Sequence, residues 1–290
     1  MRKVFAALAV VVLALATAST AGAAPRQDYR HYVALGDSYT AGPLIPTQRL
    51  DPLGCARSTS NYPSILAAAL HVDSYADLSC SGADTSNMTR AQDVPLGVNP
   101  PQFSALRLDT DLVTLGIGGN DSSVFGTIVG TCPGLRSQDP SGNPCQRHFT
   151  TDGVDTVKAA LATTQQSVET VLAGIHARSP RAKVFAIGYP RIAPASGYCP
   201  DVLPFADGDY AWLTSVEEAL NTAIENAVEA DGDASYVDTF TPSAGHDACA
   251  PDGSAWINGK DTKLLTAAAY HPVPEGMAGL AGIIDRQLED

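Results

Sequence analysis

Basic residues are scarce in this chain. Its 290 residues include 18 lysines and arginines against 31 acids, a formal net charge of −13. Such a surface would repel nucleic-acid phosphates, so no nucleic-acid partner is expected, and it weighs mildly against anionic membranes. Beyond the N-terminus no apolar run is long enough to span a bilayer, so no stable membrane insertion is expected. No C-x-x-C pair occurs, which argues against zinc. The acidic groups Asp207/Asp209 and Asp231/Asp233/Asp238 lack the spacing of a calcium loop and read as turn and cap residues. No metal and no cofactor are expected. Internal repeats and low-complexity linkers are absent too. What remains is a globular composition, 44% hydrophobic and 17% charged. It reads as one domain over residues 24–290, expected to be a monomer.

The first 23 residues read as a signal peptide that is removed. Arg2 and Lys3 precede the apolar run Val4 to Ala16, and Ala21-Gly22-Ala23 gives an A-x-A cleavage site. Secretion to the exterior is the expected location. Export makes the six cysteines readable as disulfides, because the oxidising exterior favours them. Six cysteines allow many connectivities. The simplest pairs neighbours: Cys55–Cys80, Cys132–Cys145 and Cys199–Cys249.

Short apolar runs alternate with helical patterns along the chain. Tyr32–Leu35, Val72–Leu78, Asp111–Ile117, Lys183–Ile187 and Ser235–Val237 read as strands. Helices are expected at Tyr62–Leu70, behind a Ser60 or Asn61 cap, and at Val154–Ala177, Tyr210–Ala230 and Pro274–Leu288. The alternation implies parallel pairing with helices on both faces. The expected fold is therefore α/β, a three-layer α/β/α sandwich on a parallel sheet of about five strands. Three segments, 43–60, 122–152 and 189–208, read as irregular loops that would wall a pocket.

Ligands of open parallel sheets bind beyond the carboxyl ends of the strands. At those ends stand Gly36-Asp37-Ser38-Tyr39, then Ser81-Gly82-Ala83, then Gly118-Gly119-Asn120-Asp121; His271-Pro272 precedes the last helix. These residue types suit acyl transfer. A serine hydroxyl becomes a nucleophile when an imidazole takes its proton. The anionic tetrahedral intermediate needs donors aimed at it in advance, and glycine N–H groups and an Asn amide can supply them. No G-x-S-x-G surrounds Ser38, since position 40 is Thr, which disfavours the nucleophile elbow of the α/β-hydrolases.

In this order and at these positions the four segments resemble the conserved blocks of the SGNH hydrolase superfamily, the GDSL lipases and esterases. The flavodoxin-like SGNH fold follows from the resemblance. It implies Ser38 as nucleophile and His271 as general base. It also implies an oxyanion hole built from the Ser38 N–H, the Gly82 N–H and Asn120. The six cysteines and Gly245-His246-Asp247-Ala248-Cys249 resemble secreted actinobacterial members more narrowly. Hydrolysis of a small-molecule or lipid ester is the expected activity; the family also includes sugar deacetylases and thioesterases.

One position departs from the family pattern. Many members carry an Asp three residues before the histidine, and here that position is Ala268. An acceptor for the imidazole Nδ1–H is still required, and a neutral carbonyl can serve. The Ala268 carbonyl is the expected acceptor, with a remote carboxylate such as Asp261 or Asp252 as the alternative. The missing acid also supports a rival reading, a secreted carbohydrate- or lipid-binding protein on the same scaffold with an inactive site. His246 is the rival base, although its place beside Asp247 and Cys249 suits a loop role. Asp121 reads as a structural residue, and Trp212 and Trp256 as core or pocket wall.

Overall fold

The structure, a computed structural model, describes residues 28–289; the expected signal peptide lies outside the described residues. Its first half runs β1 (His31–Gly36), α1 (Ser38–Ala41), α2 (Tyr62–Leu70), β2 (Ser74–Asp77), β3 (Gln92–Val94), β4 (Gly97–Asn99) and β5 (Leu112–Gly116). Then follow α3 (Val124–Leu135), α4 (Pro144–His148), β6 (Thr150–Thr151), β7 (Val154–Asp155), α5 (Thr156–Arg178) and β8 (Lys183–Ile187). The chain ends with α6 (Asp209–Asp231), β9 (Ala234–Val237) and α7 (Pro274–Gln287).

The three central strands are mostly apolar because both of their faces are covered; Thr114 is the buried polar residue among them. Val33, Leu35, Val113, Leu115, Val184 and Ala186 point to one side and pack with Leu172 and Ile175 of α5 and Ile224 of α6. Tyr32, Ala34, Leu112, Phe185 and Ile187 point to the other and meet Leu66 of α2 and Leu280 and Ile284 of α7. Two buried layers on one sheet make the expected α/β/α sandwich. Each fully buried Leu or Ile here contributes about 1.5–3 kcal/mol. The helix ends follow local rules. Asn61 caps α2 through the Ser64 N–H, and Asp155 caps α5 through Val157 and Lys158. Gly232, at φ 75°, closes α6.

All pairs in the large sheet are parallel, in the order β2-β1-β5-β8-β9. The chain leaves β1 toward one edge and leaves β5 toward the other. That reversal opens a crevice at the carboxyl ends of β1 and β5, where doubly wound sheets hold their ligands.

Two irregular segments differ from their expected form. Residues 122–152 contain α3 and α4, tied together by Cys132–Cys145. Pro133, Gly134, Pro140, Gly142 and Pro144 make this segment read as a loop, but Val124, Ile128 and Cys132 bury one stripe and the tertiary packing overrides propensity. Segment 43–60 folds back on itself through a Gln48–Ser58 bridge and packs on the β3–β4 hairpin rather than over the crevice. The other cysteines pair as neighbours, Cys55–Cys80 and Cys199–Cys249. Among the described residues no helix is long and apolar enough to cross a membrane.

Candidate active site

Ser38 opens α1 at the carboxyl end of β1. The approach is tight. A Cβ on Gly36 would lie 2.6 Å from the Gly116 carbonyl oxygen and 2.2 Å from Thr40 Oγ1, so only glycine fits. Buried Gln102 holds Gly36 from the side, accepting its N–H at 2.8 Å and donating to its carbonyl at 2.9 Å. Asp37 then caps α1 by accepting the Tyr39 N–H at 2.8 Å, and the chain turns Ser38 into the crevice.

His271 arrives from the loop between β9 and α7. Its Nε2 lies 2.8 Å from Ser38 Oγ, although the two residues are 233 apart in sequence. Its Nδ1 lies 2.7 Å from the carbonyl oxygen of Ala269. A carbonyl only accepts, so Nδ1 carries the proton and Nε2 presents its lone pair to the serine. Tyr39 packs on one side of the imidazole, with ring centroids 5.3 Å apart, and Phe125 meets it edge-on at 6.4 Å. Burial holds the imidazole below the usual histidine range, opposed in part by the Ala269 carbonyl.

The expected acceptor was the Ala268 carbonyl, and the structure corrects this by one residue. Tyr270 sits at φ 61°, which turns the chain tightly between Ala268 and His271. Inside that turn the Ala268 carbonyl takes the His271 backbone N–H at 3.3 Å and the Asn258 amide at 3.0 Å. The Ala269 carbonyl, one peptide on, faces the ring. Asn258 organises the loop: its side chain also donates to the Asp261 and Ala267 carbonyls, and its N–H to the His271 carbonyl at 2.9 Å. The Ala268 N–H bonds the Pro43 carbonyl and the Tyr39 hydroxyl bonds the Tyr270 carbonyl, which docks the loop beside Ser38. Asp252 and Asp261 are exposed, and no bond joins either to the imidazole. His246 is stacked on Trp256 and bonds the Ser254 carbonyl, away from the serine.

Gly82 and Asn120 come from the ends of β2 and β5. Gly82 is at φ 76°, a left-handed turn that orients its N–H. Among the described residues neither the Gly82 N–H nor the Ser38 N–H finds an acceptor. The Cys55–Cys80 disulfide and a Ser81 N–H bond to the Cys55 carbonyl steady the turn that carries Gly82. One Asn120 amide hydrogen goes to the Ala83 carbonyl at 3.0 Å, which leaves the other for the crevice. Asp121 is structural, as expected, and receives the Thr85 N–H and hydroxyl across the gap between the two loops.

Tyr189 had no signal in the sequence beyond a Gly-Tyr-Pro turn. Its hydroxyl accepts the Gly119 N–H at 2.9 Å and donates to Asp37 Oδ2 at 2.5 Å, joining the loops of β1, β5 and β8. Burial raises the Asp37 carboxyl to about 7, against the pull of the Tyr189 hydroxyl and the Tyr39 N–H. A cavity of about 600 Å³, its mouth included, opens beside Ser38. Its wall is mainly apolar, with Val124, Phe125 and Ile128 of α3, Leu161 of α5, Leu213 and Val216 of α6, and Ile192. Segments 122–152 and 189–208 thus line it as expected; segment 43–60 does not. Glu217 adds a carboxyl to that wall, remote in sequence from Asp37, Ser38 and Asn120. Its Oε1 accepts the Ile192 and Ala193 N–H groups at 3.2 Å each, and burial raises it to about 8.

Known proteins resemble this chain over most of its length. Residues 34–278 match the model of the GDSL-like Lipase/Acylhydrolase family. Lipase 2 of Streptomyces coelicolor is 40% identical over 267 residues, covering 89% of this chain and 87% of its own. A lipase of Streptomyces rimosus is 30% identical over 277 residues, covering 94% and 92%. Among solved structures, phospholipase A1 from Streptomyces albidoflavus superposes with a TM-score of 0.73 at 28% identity, over 89% of this chain and 99% of that one. The extracellular lipase of Streptomyces rimosus gives 0.72 at 26% identity over the same shares. The chain belongs to the GDSL-like lipase/acylhydrolase family and is a carboxylic ester hydrolase.

Proposed function

We propose that the protein is a secreted serine esterase or lipase working through an acyl-Ser38 intermediate. The observation that carries this reading is the 2.8 Å approach of His271 Nε2 to Ser38 Oγ, with the ring's other nitrogen fixed by a carbonyl. Nε2 takes the hydroxyl proton as Oγ bonds the ester carbon, and the carbonyl oxygen becomes an oxyanion. The N–H groups of Ser38 and Gly82 and the free Asn120 amide hydrogen receive that charge. The intermediate collapses, the C–O bond to the alcohol breaks, and the alkoxide takes the proton from Nε2. Water then gives a proton to Nε2 and attacks the acyl carbon. Collapse of this second intermediate returns the proton to Oγ and frees the acid.

The inactive-site reading drew its support from the missing aspartate. The Ala269 carbonyl meets the same need for an acceptor, so that support falls away. The apolar cavity beside Ser38 fits the acyl chain of a lipid or short-chain ester. Three disulfides and the N-terminal composition support export after removal of residues 1–23, leaving one domain over 24–290.

A fluorophosphonate probe tests the assignment. It should label Ser38 in the wild type, should not label Ser38→Ala, and should label His271→Ala far more slowly. Asn120→Ala should lower kcat by about 10²–10³. Labelling at another serine, or full turnover by Ser38→Ala, would end the proposal.

A further inference from the structure

Among the described residues, nine large hydrophobic side chains are exposed, and six of them fall in three segments beside the catalytic groups. Leu50 and Leu53 lie in segment 43–60, Leu96 and Val98 in the β3–β4 hairpin, and Leu264 and Leu265 in the turn before His271. All three segments follow strand carboxyl ends, the edge on which the site opens. They are also bonded to the site. The hairpin's Gln92 donates to the Ser81 carbonyl beside Gly82. Gly54 and Gly97 are pressed against Pro95 and Pro52, which locks segment 43–60 onto the hairpin. Two backbone bonds, Lys263 N–H to Ala267 and Thr266 N–H to Lys263, hold the last turn, and the Ala268 N–H anchors it to Pro43.

Leu96 and Leu265 sit at φ 61° and 62° at the tips of their turns. A left-handed leucine costs about 1 kcal/mol that glycine would not, and leaving it 85% or 78% exposed forgoes burial as well. Strain and exposure together at a tip point to a role outside the fold.

Charge identifies what the tips meet. The chain as a whole has 18 bases to 31 acids. The segments 43–60, 84–99 and 259–270 hold five bases (Arg49, Arg57, Arg90, Lys260, Lys263) and four acids (Asp51, Asp84, Asp93, Asp261). The rim is thus nearly neutral on an acidic protein. A second copy would bring another strongly acidic surface toward it, and an anionic surface would be repelled by the rest of the molecule. We propose that Leu50, Leu53, Leu96, Val98, Leu264 and Leu265 form a rim that adsorbs to a neutral or zwitterionic surface of aggregated ester lipid, seating the mouth of the site on its substrate. The inference rests on the esterase reading, since the lipids of that surface would be what Ser38 hydrolyses.

The test uses the secreted chain with its disulfides intact. Ser38→Ala, which cannot consume lipid, is floated with phosphatidylcholine vesicles and compared with the same protein carrying Leu96→Ser, Leu264→Ser and Leu265→Ser. The partition coefficient should fall at least about tenfold and should change little with salt. With Ser38 restored, the triple variant should hydrolyse a soluble short-chain nitrophenyl ester within about twofold of wild type, while its turnover of vesicle-borne ester falls about tenfold. The proposal is overturned if Ser38→Ala ignores phosphatidylcholine, or if the triple variant binds as well. It is also overturned if binding needs phosphatidylglycerol and is lost in salt, or if sedimentation shows a dimer that the substitutions dissolve. Failure of the esterase reading looks different: wild type would leave the soluble ester intact whatever the vesicles show.

Discussion

Replacing Tyr189 by phenylalanine removes one oxygen from the centre of the site and leaves the ring in place. That oxygen accepts the Gly119 N–H at 2.9 Å and donates to Asp37 at 2.5 Å, with Asp37 1% exposed. Loss of a hydrogen bond to an ionisable partner costs about 1.5–3 kcal/mol, and the orphaned Gly119 N–H adds about 1–3 kcal/mol. Partial relaxation brings the expected destabilisation to about 3–4 kcal/mol, or roughly 6–16 °C in melting temperature at about 2–4 °C per kcal/mol for a domain of this size. Activity should fall for a related reason. The bond to the Gly119 N–H fixes the residue preceding Asn120, and in the proposed mechanism an Asn120 free to drift stabilises the oxyanion less. A loss in kcat of about tenfold is expected, smaller than deletion of the donor itself. KM for a nitrophenyl ester should barely move, because the substrate carbonyl meets Asn120 fully only in the transition state. The acid limb of the pH profile should also stay in place, since His271 touches neither partner. Thermal melting and steady-state kinetics on the folded variant decide the matter. An unchanged kcat beside a large drop in melting temperature would reduce Tyr189 to a packing residue. An unchanged melting temperature would refute the energetic reasoning.

The rate against pH should rise along a limb set by His271. Burial lowers its pKa, so the midpoint should lie below the free imidazole value of about 6.5; a midpoint above it would count against the assigned environment. Ala268→Asp restores the family's acid on paper, yet kcat should change by no more than about threefold, because Nδ1 is already committed to the Ala269 carbonyl. Turnover rising by orders of magnitude would mean that the carbonyl is a poor substitute. Stability should also depend on pH. Asp37 and Glu217 have folded-state values raised to about 7 and about 8, so between their unfolded values near 4 and these limits the folded state binds more protons than the unfolded. Unfolding free energy therefore falls as pH climbs from about 5 to 8, and Glu217→Gln, which still accepts from Ile192 and Ala193, should flatten part of that fall in a melting series.

The readable parts of this molecule were those written in side chains close together in sequence. β1, β5 and β8 announced themselves because a strand buried on both faces is apolar at most positions. Ser38, Gly82 and Asn120 stand in short segments at strand ends, and His271 is tied to the start of α7 by Pro272 and Pro274. Other features depend on tertiary placement. Val124 and Ile128 make α3 helical by what they pack on, against a local sequence rich in glycine. Whether Ala268 or Ala269 faces the imidazole is decided by the left-handed turn at Tyr270, and a carbonyl has no letter in the sequence. Asn258 and Tyr189 act across gaps of 3 to 152 residues, and nothing adjacent to them marks their partners. Segment 43–60 is irregular in the sequence and in the structure, but its glycines and prolines carry no record of the surface on which they settle.

Because the imidazole leans on a peptide oxygen, no single base change in the gene can delete its support. A family member that relies on an aspartate can lose that support in one mutational step. Here damage must come indirectly, by changes at Asn258, Gly259 or Tyr270 that reshape the loop. The side chain at position 268 is correspondingly released from that duty, so an alanine there leaves the acceptor intact. The same oxygen has no proton to gain in acidic surroundings, so the support for Nδ1 does not itself titrate.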